Sequence, residues 1–377
     1  MVRFHFPPVF DESFKNIEQA VRSGNTCGDG DFTFKCNEWI EKNMGVCKSY
    51  LVTSGTDALE LAAMLVANPG DEVIVPSFTF VTSASSFCRQ GAKAVFVDIR
   101  PDTMNIDENL IEDAITDKTV AICPVHYAGV GAEMDKIMEI AQKYNLKVVE
   151  DAAQGVMSKY KGRPLGSIGD IGCYSFHETK NYSMGEGGAI LFRDDEALAD
   201  EGERRRESGT NRRRYIRGEL DKYTWEFLGS SFLPSELNAA LLLPQLERAE
   251  EINANRNHYW SMYNEMLADL NKEGIIEVPV IPDTCDFNAH MFYFKMKDID
   301  ERTEFIRYMM EDKKIKVMSH YIPLHNTNGG RKYGRFHGED KYTTKESERL
   351  VRLPLYYNMG DDTVEMIVEA VKGFYKR

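Results

Sequence analysis

The 377-residue chain has no Cys-x-x-Cys pair among its seven cysteines and no His-Glu-x-x-His spacing among its eight histidines. That removes the usual frameworks for structural zinc or disulfides, and scattered thiols in odd number fit a reducing compartment. No window is apolar for the length of a membrane span. The opening MVRFHFPPVFDESF interrupts its apolar residues with prolines and acids, where a secretory leader needs an unbroken run. Positive charge is also short. With 46 Lys and Arg against 60 Asp and Glu, the net charge of −14 argues against a general nucleic-acid or membrane-surface role, while it does not forbid a local basic pocket. Internal repeats and low-complexity tracts are missing. A dinucleotide dehydrogenase would need Gly-x-Gly-x-x-Gly after an early strand, and GEGGA at 185–189 lies too late and has other spacing. These absences lead to the expectation of a soluble cytoplasmic protein with no metal site.

What the chain does have is length for two domains and 42% apolar residues, enough for a substantial core. From about residue 45 to 195, strand-like and helical stretches alternate: KSYLVTS, a helix from SGT, EVIVPS, a helix through 83–89, AVFVDI, TVAICPVH, a helix, and KVVEDA. Such alternation predicts an α/β fold with a mostly parallel sheet flanked by helices. Residues 233–267 read as a long helical stretch kinked at Pro244. IIEVPVIP, HMFYFKM, a helix near 301–311, KIKVMSHY and a last helix at 361–375 then suggest a smaller α+β domain. The last helix has acids at its start and Lys376-Arg377 at its end, as the helix dipole favours. The expected division is a large domain over 1–250 and a small one over 251–377.

Three segments carry chemistry. In DIGCYSFHETKNYSMGEGGAI, Lys180 stands between a short apolar strand and a glycine-rich turn, the usual presentation of a lysine that forms an imine with pyridoxal phosphate. In KVVEDAAQG, a buried strand delivers Asp151 at its C-terminal end. There it can keep a pyridine nitrogen protonated, or simply cap a helix. Glu150 alternates to the other face, as a structural or solvated residue. In TSGTDALELAAMLVA, Ser54, Gly55 and Thr56 open a buried helix whose free N–H groups suit a phosphate, although such caps also occur without ligands. The order phosphate loop, aspartate, lysine is that of a fold-type-I pyridoxal phosphate enzyme.

GDEVIVPSFTF, VVEDAAQG and SFHETKNYSMGEGGAI resemble the signature blocks of the nucleotide-sugar aminotransferase family, almost end to end. RPDTMNID, VHYAGV, DKYTW and FHGEDKYTTKESERL are similar, more narrowly, to the branch that makes TDP-4-amino-4,6-dideoxygalactose for enterobacterial common antigen. The resemblance implies transfer of an amino group from L-glutamate to the 4-keto group of TDP-4-keto-6-deoxyglucose, on pyridoxal phosphate, in a homodimer with shared active sites. It makes Lys180 the cofactor lysine, Asp151 the partner of the pyridine nitrogen, and Gln154 a neighbour of the phenolic oxygen. Phe80 would stack on the ring, with Thr56, Asp57 and Ser175 around the phosphate. Where many relatives have an asparagine reaching over from the partner subunit, LGSSFLPSEL offers Ser231, a shorter group without the amide. Relatives that are dehydratases replace the cofactor lysine, whereas Lys180 is present. A non-catalytic regulator would need eroded motifs or a DNA-binding segment.

Other residues stay open between roles. His126 can sit at the ligand edge or be a hydrogen-bonded structural histidine, and His177 can influence the lysine loop or only pack there. His320, Tyr321 and His325, in SHYIPLH, can line a sugar pocket or pack a strand end. The basic run RRRESGTNRRRYIRG is either a solvated loop or supplies at least one of Arg212, Arg213, Arg214 and Arg217 to the diphosphate, since arginine forks suit phosphate oxygens.

Overall fold

The computed structural model describes residues 1–376, so Arg377 of the expected C-terminal pair lies outside the described residues. An eight-stranded sheet forms the centre, in the spatial order Lys48–Val52, Gly188–Phe192, Ile171–Ser175, Lys147–Asp151, Thr119–Ile122, Glu72–Pro76, Lys93–Val97 and Gly334–Phe336. Gly188–Phe192 is antiparallel to both neighbours. The other pairs are parallel. Every strand but that one therefore ends at the same edge, where parallel sheets assemble ligand sites.

The period-2 alternation of apolar residues builds a layer on each face. Val73, Val75, Ala94, Phe96, Ile190 and Phe192 pack under the helices Gly55–Val66, Thr82–Arg89 and Glu196–Arg206. On the other face, Leu51 and Leu191 meet Asp31–Met44 and Glu236–Glu247, and Ile74, Val95 and Val148 meet Met134–Tyr144. Among the described residues, no helix is long and apolar enough to cross a membrane.

A second core gathers Tyr259, Tyr263, Phe292, Phe294, Phe305, Val351, Leu353 and Val364, packed around the two-stranded sheet of Phe292–Lys295 and Leu350–Leu353. Strand pairing crosses residue 250. Gly334–Phe336 returns to the large sheet beside Lys93–Val97, and Cys285–Asp286 pairs with Lys159–Tyr160. The Asp98 carboxylate accepts from the backbone N–H groups of Lys341, Tyr342 and Thr343. Val2 bridges to Ile315, which brings the N-terminal segment onto the second core.

Three local expectations are corrected. The 233–267 helix breaks at Arg248, between Glu236–Glu247 and Ala249–Met266, and runs through Pro244. A proline removes only one helical N–H bond. Its buried neighbours Leu242, Leu243, Gln245 and Leu246 hold the turn in place. IIEVPVIP makes only the isolated bridge Glu277 to Lys295, since Pro279 and Pro282 withhold ladder donors. KIKVMSHY is likewise limited to single bridges at Ile315 and Met318.

Candidate active site

Four parallel strands and one helix converge on a cavity of about 490 Å³. Ser54, Gly55 and Thr56 enter it from the start of Gly55–Val66, and Thr79, Phe80 and Thr82 from the loop after Glu72–Pro76. Val125 follows Thr119–Ile122. Asp151 and Gln154 come from the end of Lys147–Asp151, and Ser175, His177 and Lys180 from the end of Ile171–Ser175 and the turn beyond it.

The helix start is capped by Ser54, whose Oγ accepts from the Asp57 N–H at 3.0 Å. Gly55 lies so near Ser175 that a Cβ on it would stand 2.8 Å from the Ser175 Cβ. Thr56 and Ser175 therefore border one cradle. Asp57 was expected at the phosphate turn, yet it does not line the cavity. Its N–H is taken by Ser54 and its carboxylate accepts from the Thr53 hydroxyl.

Asp151 is almost fully buried and held on both oxygens. Oδ2 accepts from Ser83 Oγ at 2.6 Å, and Ser83 also meets Thr79 Oγ1 at 2.7 Å. Oδ1 accepts from the Ala153 N–H at 3.2 Å. Ser83, one turn past PSFTF, was not singled out in the sequence. Glu150 points away into the protein, where it accepts from the N–H groups of Gly166, Ile168 and Gly169 and meets His126 Nε2 at 2.8 Å. Burial pushes its carboxyl pKa up, but His126 and those backbone donors outweigh it and hold the net value below normal. His126 Nδ1 accepts from the Ala132 N–H, so Nε2 is the protonated nitrogen and the ring donates to Glu150. His126 is thus a fully buried structural histidine.

Lys180 sits in a tight turn, with its N–H donating to the His177 carbonyl at 2.9 Å. His177 shapes this turn through Thr179, whose hydroxyl meets Nδ1 at 2.9 Å. The residues that follow are tethered in turn. Asn181 bonds the Asn288 carbonyl and His290, and Gln245 bonds both the N–H and the carbonyl of Ser183. Around the amine, burial lowers the pKa to about 8; Asp151 opposes that shift and Arg352 adds to it. At pH 7 roughly one amine in ten is therefore neutral, far more than for a free lysine.

Gln154 lines the cavity with its head group already engaged: Oε1 accepts from the Ala128 N–H at 2.7 Å and Nε2 donates to the Tyr321 hydroxyl at 3.3 Å. Phe80 stands at the rim, 53% exposed, with its ring centroid 6.3 Å from that of Tyr321. Tyr321 adopts φ 29°, unusual for a bulky side chain, and stacks on His320 at 3.5 Å. His320 lines the cavity and meets Tyr127 Oη at 2.9 Å. His5, His290, Met318 and Arg352 complete this side. None of those four was singled out in the sequence, because they come from segments far apart in the chain. Burial, then the Arg256 charge, lowers the His5 pKa to about 4.

Several expected residues lie elsewhere. His325 does not line the cavity: Nδ1 meets Ser77 Oγ at 2.6 Å and Nε2 meets Asp340 at 3.0 Å, so the ring pins its own loop. Ser231 forms a backbone bridge with Glu207, away from the cavity. Arg212 pairs with Glu207, Arg213 with the buried Asp29, Arg214 with Glu219, and Arg217 with Glu203 and Glu219. These arginines are spent on acids of their own chain and do not reach its cavity. Among the described residues, no group of three or more His, Cys, Asp or Glu could hold a metal ion.

Residues 9–372 match the DegT/DnrJ/EryC1/StrS aminotransferase family. The chain belongs to that family. It is similar to an uncharacterized protein of Methanocaldococcus jannaschii, 34% identical over 386 residues that cover 99% of this chain and 98% of that one. It also resembles the GDP-perosamine synthase of Caulobacter vibrioides, 40% identical over 246 residues, or 64% of this chain and 63% of the other. Among solved structures, the aminotransferase TlmJ from Streptoalloteichus hindustanus superposes with a TM-score of 0.90 at 25% identity, covering 100% of this chain and 99% of that one. The architecture is that of fold-type-I aminotransferases, and the chain is a sugar aminotransferase dependent on pyridoxal phosphate.

Proposed function

We propose that this chain aminates C4 of TDP-4-keto-6-deoxy-D-glucose, with L-glutamate as donor, to give TDP-4-amino-4,6-dideoxy-D-galactose. The observation that carries the chemistry is the pairing of Lys180, with its amine pKa lowered to about 8, and a buried, doubly bonded Asp151 in one cavity. The choice of sugar rests on the longer strings around RPDTMNID, DKYTW and FHGEDKYTTKESERL. The likeness to a GDP-perosamine synthase supports a nucleotide-linked sugar in general.

The cavity fits the cofactor. The close approach of Gly55 to Ser175 leaves a cradle at a helix N-terminus, where backbone N–H groups and a hydroxyl suit a phosphate. In this reading Thr56 and Ser175 hold the phosphate, Phe80 covers the ring, Gln154 borders the phenolic oxygen and Asp151 faces the ring nitrogen. Bound pyridoxal phosphate supplies a carbonyl that condenses with amines and a ring that takes up electrons. Lys180 would hold the cofactor through its amine and, once free, would take the proton from the donor α-carbon. In the second half the same amine would deliver a proton to the sugar carbon that receives nitrogen. Asp151 would hold the ring nitrogen protonated.

The reading includes a cytoplasmic homodimer in which Ser231 and the 204–223 loop reach the partner's cavity. They lie outside the lining of this chain's own cavity, as such a role requires. Purified enzyme given pyridoxal phosphate, glutamate and a panel of TDP- and UDP-keto-sugars should yield a 4-amino sugar of galacto configuration by NMR. Amination at C3, or turnover of UDP-sugars alone, would overturn the substrate assignment.

A further inference from the structure

Part of the cavity wall comes from outside the large sheet: Phe4 and His5 from the N-terminal segment, and Met318, His320, Tyr321 and Arg352 from the C-terminal part of the chain. Arg352 is the cation of this wall. Its guanidinium lies 5.0 Å from the centroid of the Phe4 ring. Nη2 donates to the Ser319 carbonyl over a long 3.3 Å, and Nε is buried with no hydrogen-bond partner. Among the described residues no carboxylate pairs with it. The contrast with Arg349 is direct, since that side chain meets Glu346 at 3.0 Å and also Glu277.

Burial disfavours the charge on Arg352, and the Tyr127 and Tyr321 hydroxyls oppose this only in part. An arginine does not respond by losing its proton. A partly desolvated charge without a counter-ion is costly, and the fold keeps it where its field reaches Lys180. His5 Nε2, in the same wall, also lacks a partner. This side of the cavity is therefore short of one anion.

We propose that Arg352 binds a carboxylate of the amino-acid donor, and so distinguishes the donor from the sugar in a cavity that both must use in turn. The proposal rests on the reading of the enzyme as an aminotransferase with glutamate as donor. The reacting end of the keto-sugar presents a ketone, hydroxyls and a methyl group, none of them charged, and its diphosphate is held at least a sugar ring away. An amino acid presents a carboxylate one bond from the carbon that Lys180 deprotonates. A guanidinium fork matches that carboxylate in charge and geometry.

The test compares wild type, Arg352→Gln and Arg352→Lys, each loaded with pyridoxal phosphate. Glutamate conversion is followed in single turnover by the loss of visible absorbance. Glutarate binding is measured by calorimetry, and hydroxylamine, a neutral nucleophile, reports whether the site is otherwise intact. Arg352→Gln should lower glutamate kcat/KM and glutarate affinity by roughly 10- to 100-fold, and the hydroxylamine rate by far less. Arg352→Lys should recover part of both losses. Equal losses with glutamate and hydroxylamine, or no loss with glutamate and glutarate, would overturn the proposal. A wild type that glutamate leaves unconverted would instead sink the donor reading, and the glutarate measurement would then still decide the role of Arg352.

Discussion

Gly55 and Ser175 pack so closely that a single added methyl on Gly55 would stand 2.8 Å from the Ser175 Cβ and 3.2 Å from its Oγ. The contact joins the N-terminus of the helix after the first strand to the end of Ile171–Ser175, two elements far apart in the chain. It sets the width of the cradle proposed for the phosphate. The glycine at this point in SGT is required by that approach; its φ is not in the left-handed region.

Gly55→Ala should therefore cost about 1–3 kcal/mol, the usual range for overpacking, and should weaken cofactor binding as the cradle opens. Ser175→Gly in the same chain removes the nearest atom and should recover much of the stability. Urea unfolding of the cofactor-free single and double variants gives the coupling energy. Additive losses would mean that the two residues do not press on each other.

The lowered pKa of Lys180 has a stability consequence of definite sign. Between the folded value of about 8 and the unfolded value near 10.5, the unfolded chain holds a proton that the folded chain does not. Stability of the cofactor-free protein therefore rises with pH through that window, and below it the buried amine costs up to about 3 kcal/mol. Lys180→Met should be more stable than wild type at pH 7 by as much as that figure, and the advantage should shrink towards pH 10.5. The same variant should lose the visible absorbance of the lysine-bound cofactor and all transamination. Equal stability of the two proteins at both pH values would show that the amine is not desolvated in the apo protein.

Glu150 is the structural counterpart of Asp151, one residue earlier on the opposite face. Its carboxylate accepts from three backbone N–H groups and the His126 ring. Glu150→Gln turns an amide NH2 towards some of those donors, and each donor left unmatched costs about 1–3 kcal/mol. Because the folded pKa is lowered, the wild-type contribution is present above the ordinary glutamate pKa and fades as pH falls through the lower folded value. The stability difference between wild type and variant, followed by thermal melting, should thus narrow in acid. A gap that stays constant to about pH 3, below the ordinary glutamate range, would contradict the assignment of an ionised Glu150.

The core of the site was legible because it lies in continuous strings. Lys180, Asp151, Ser175, Thr56 and Phe80 each stand near the end of a strand or the start of a helix, and the parallel sheet brings those ends together. His5, His290 and Arg352 were not legible, since their place depends on how the second core and the N-terminal segment close over the sheet edge. SHYIPLH shows the limit within one motif: His320 and Tyr321 line the cavity, whereas His325 turns to Ser77 and Asp340. The strand-like IIEVPVIP failed for another reason. Alternation shows which residues can face a core, but a ladder also needs N–H donors and a neighbouring strand.

The basic loop separates by burial into a packed part and a more exposed part. Arg213 is largely buried against Asp29, which Arg206 also grips at 2.7 Å, so Arg213→Gln should mainly lower stability. Arg212 and Arg214 are more exposed; the Arg214–Glu219 pair is open to solvent on both sides and can exchange for phosphate oxygens, whereas the carboxylate that Arg212 meets, Glu207, is buried. Replacing both by Gln should weaken nucleotide-sugar binding by about 1.5–3 kcal/mol if one charged hydrogen bond is lost, and should leave glutamate conversion unchanged. If this loop serves the partner's cavity, a Lys180→Ala chain mixed with the Arg212→Gln, Arg214→Gln chain regains activity, because one site of the heterodimer receives both intact parts. Verified heterodimers without recovered turnover would show that each chain builds its sugar site alone.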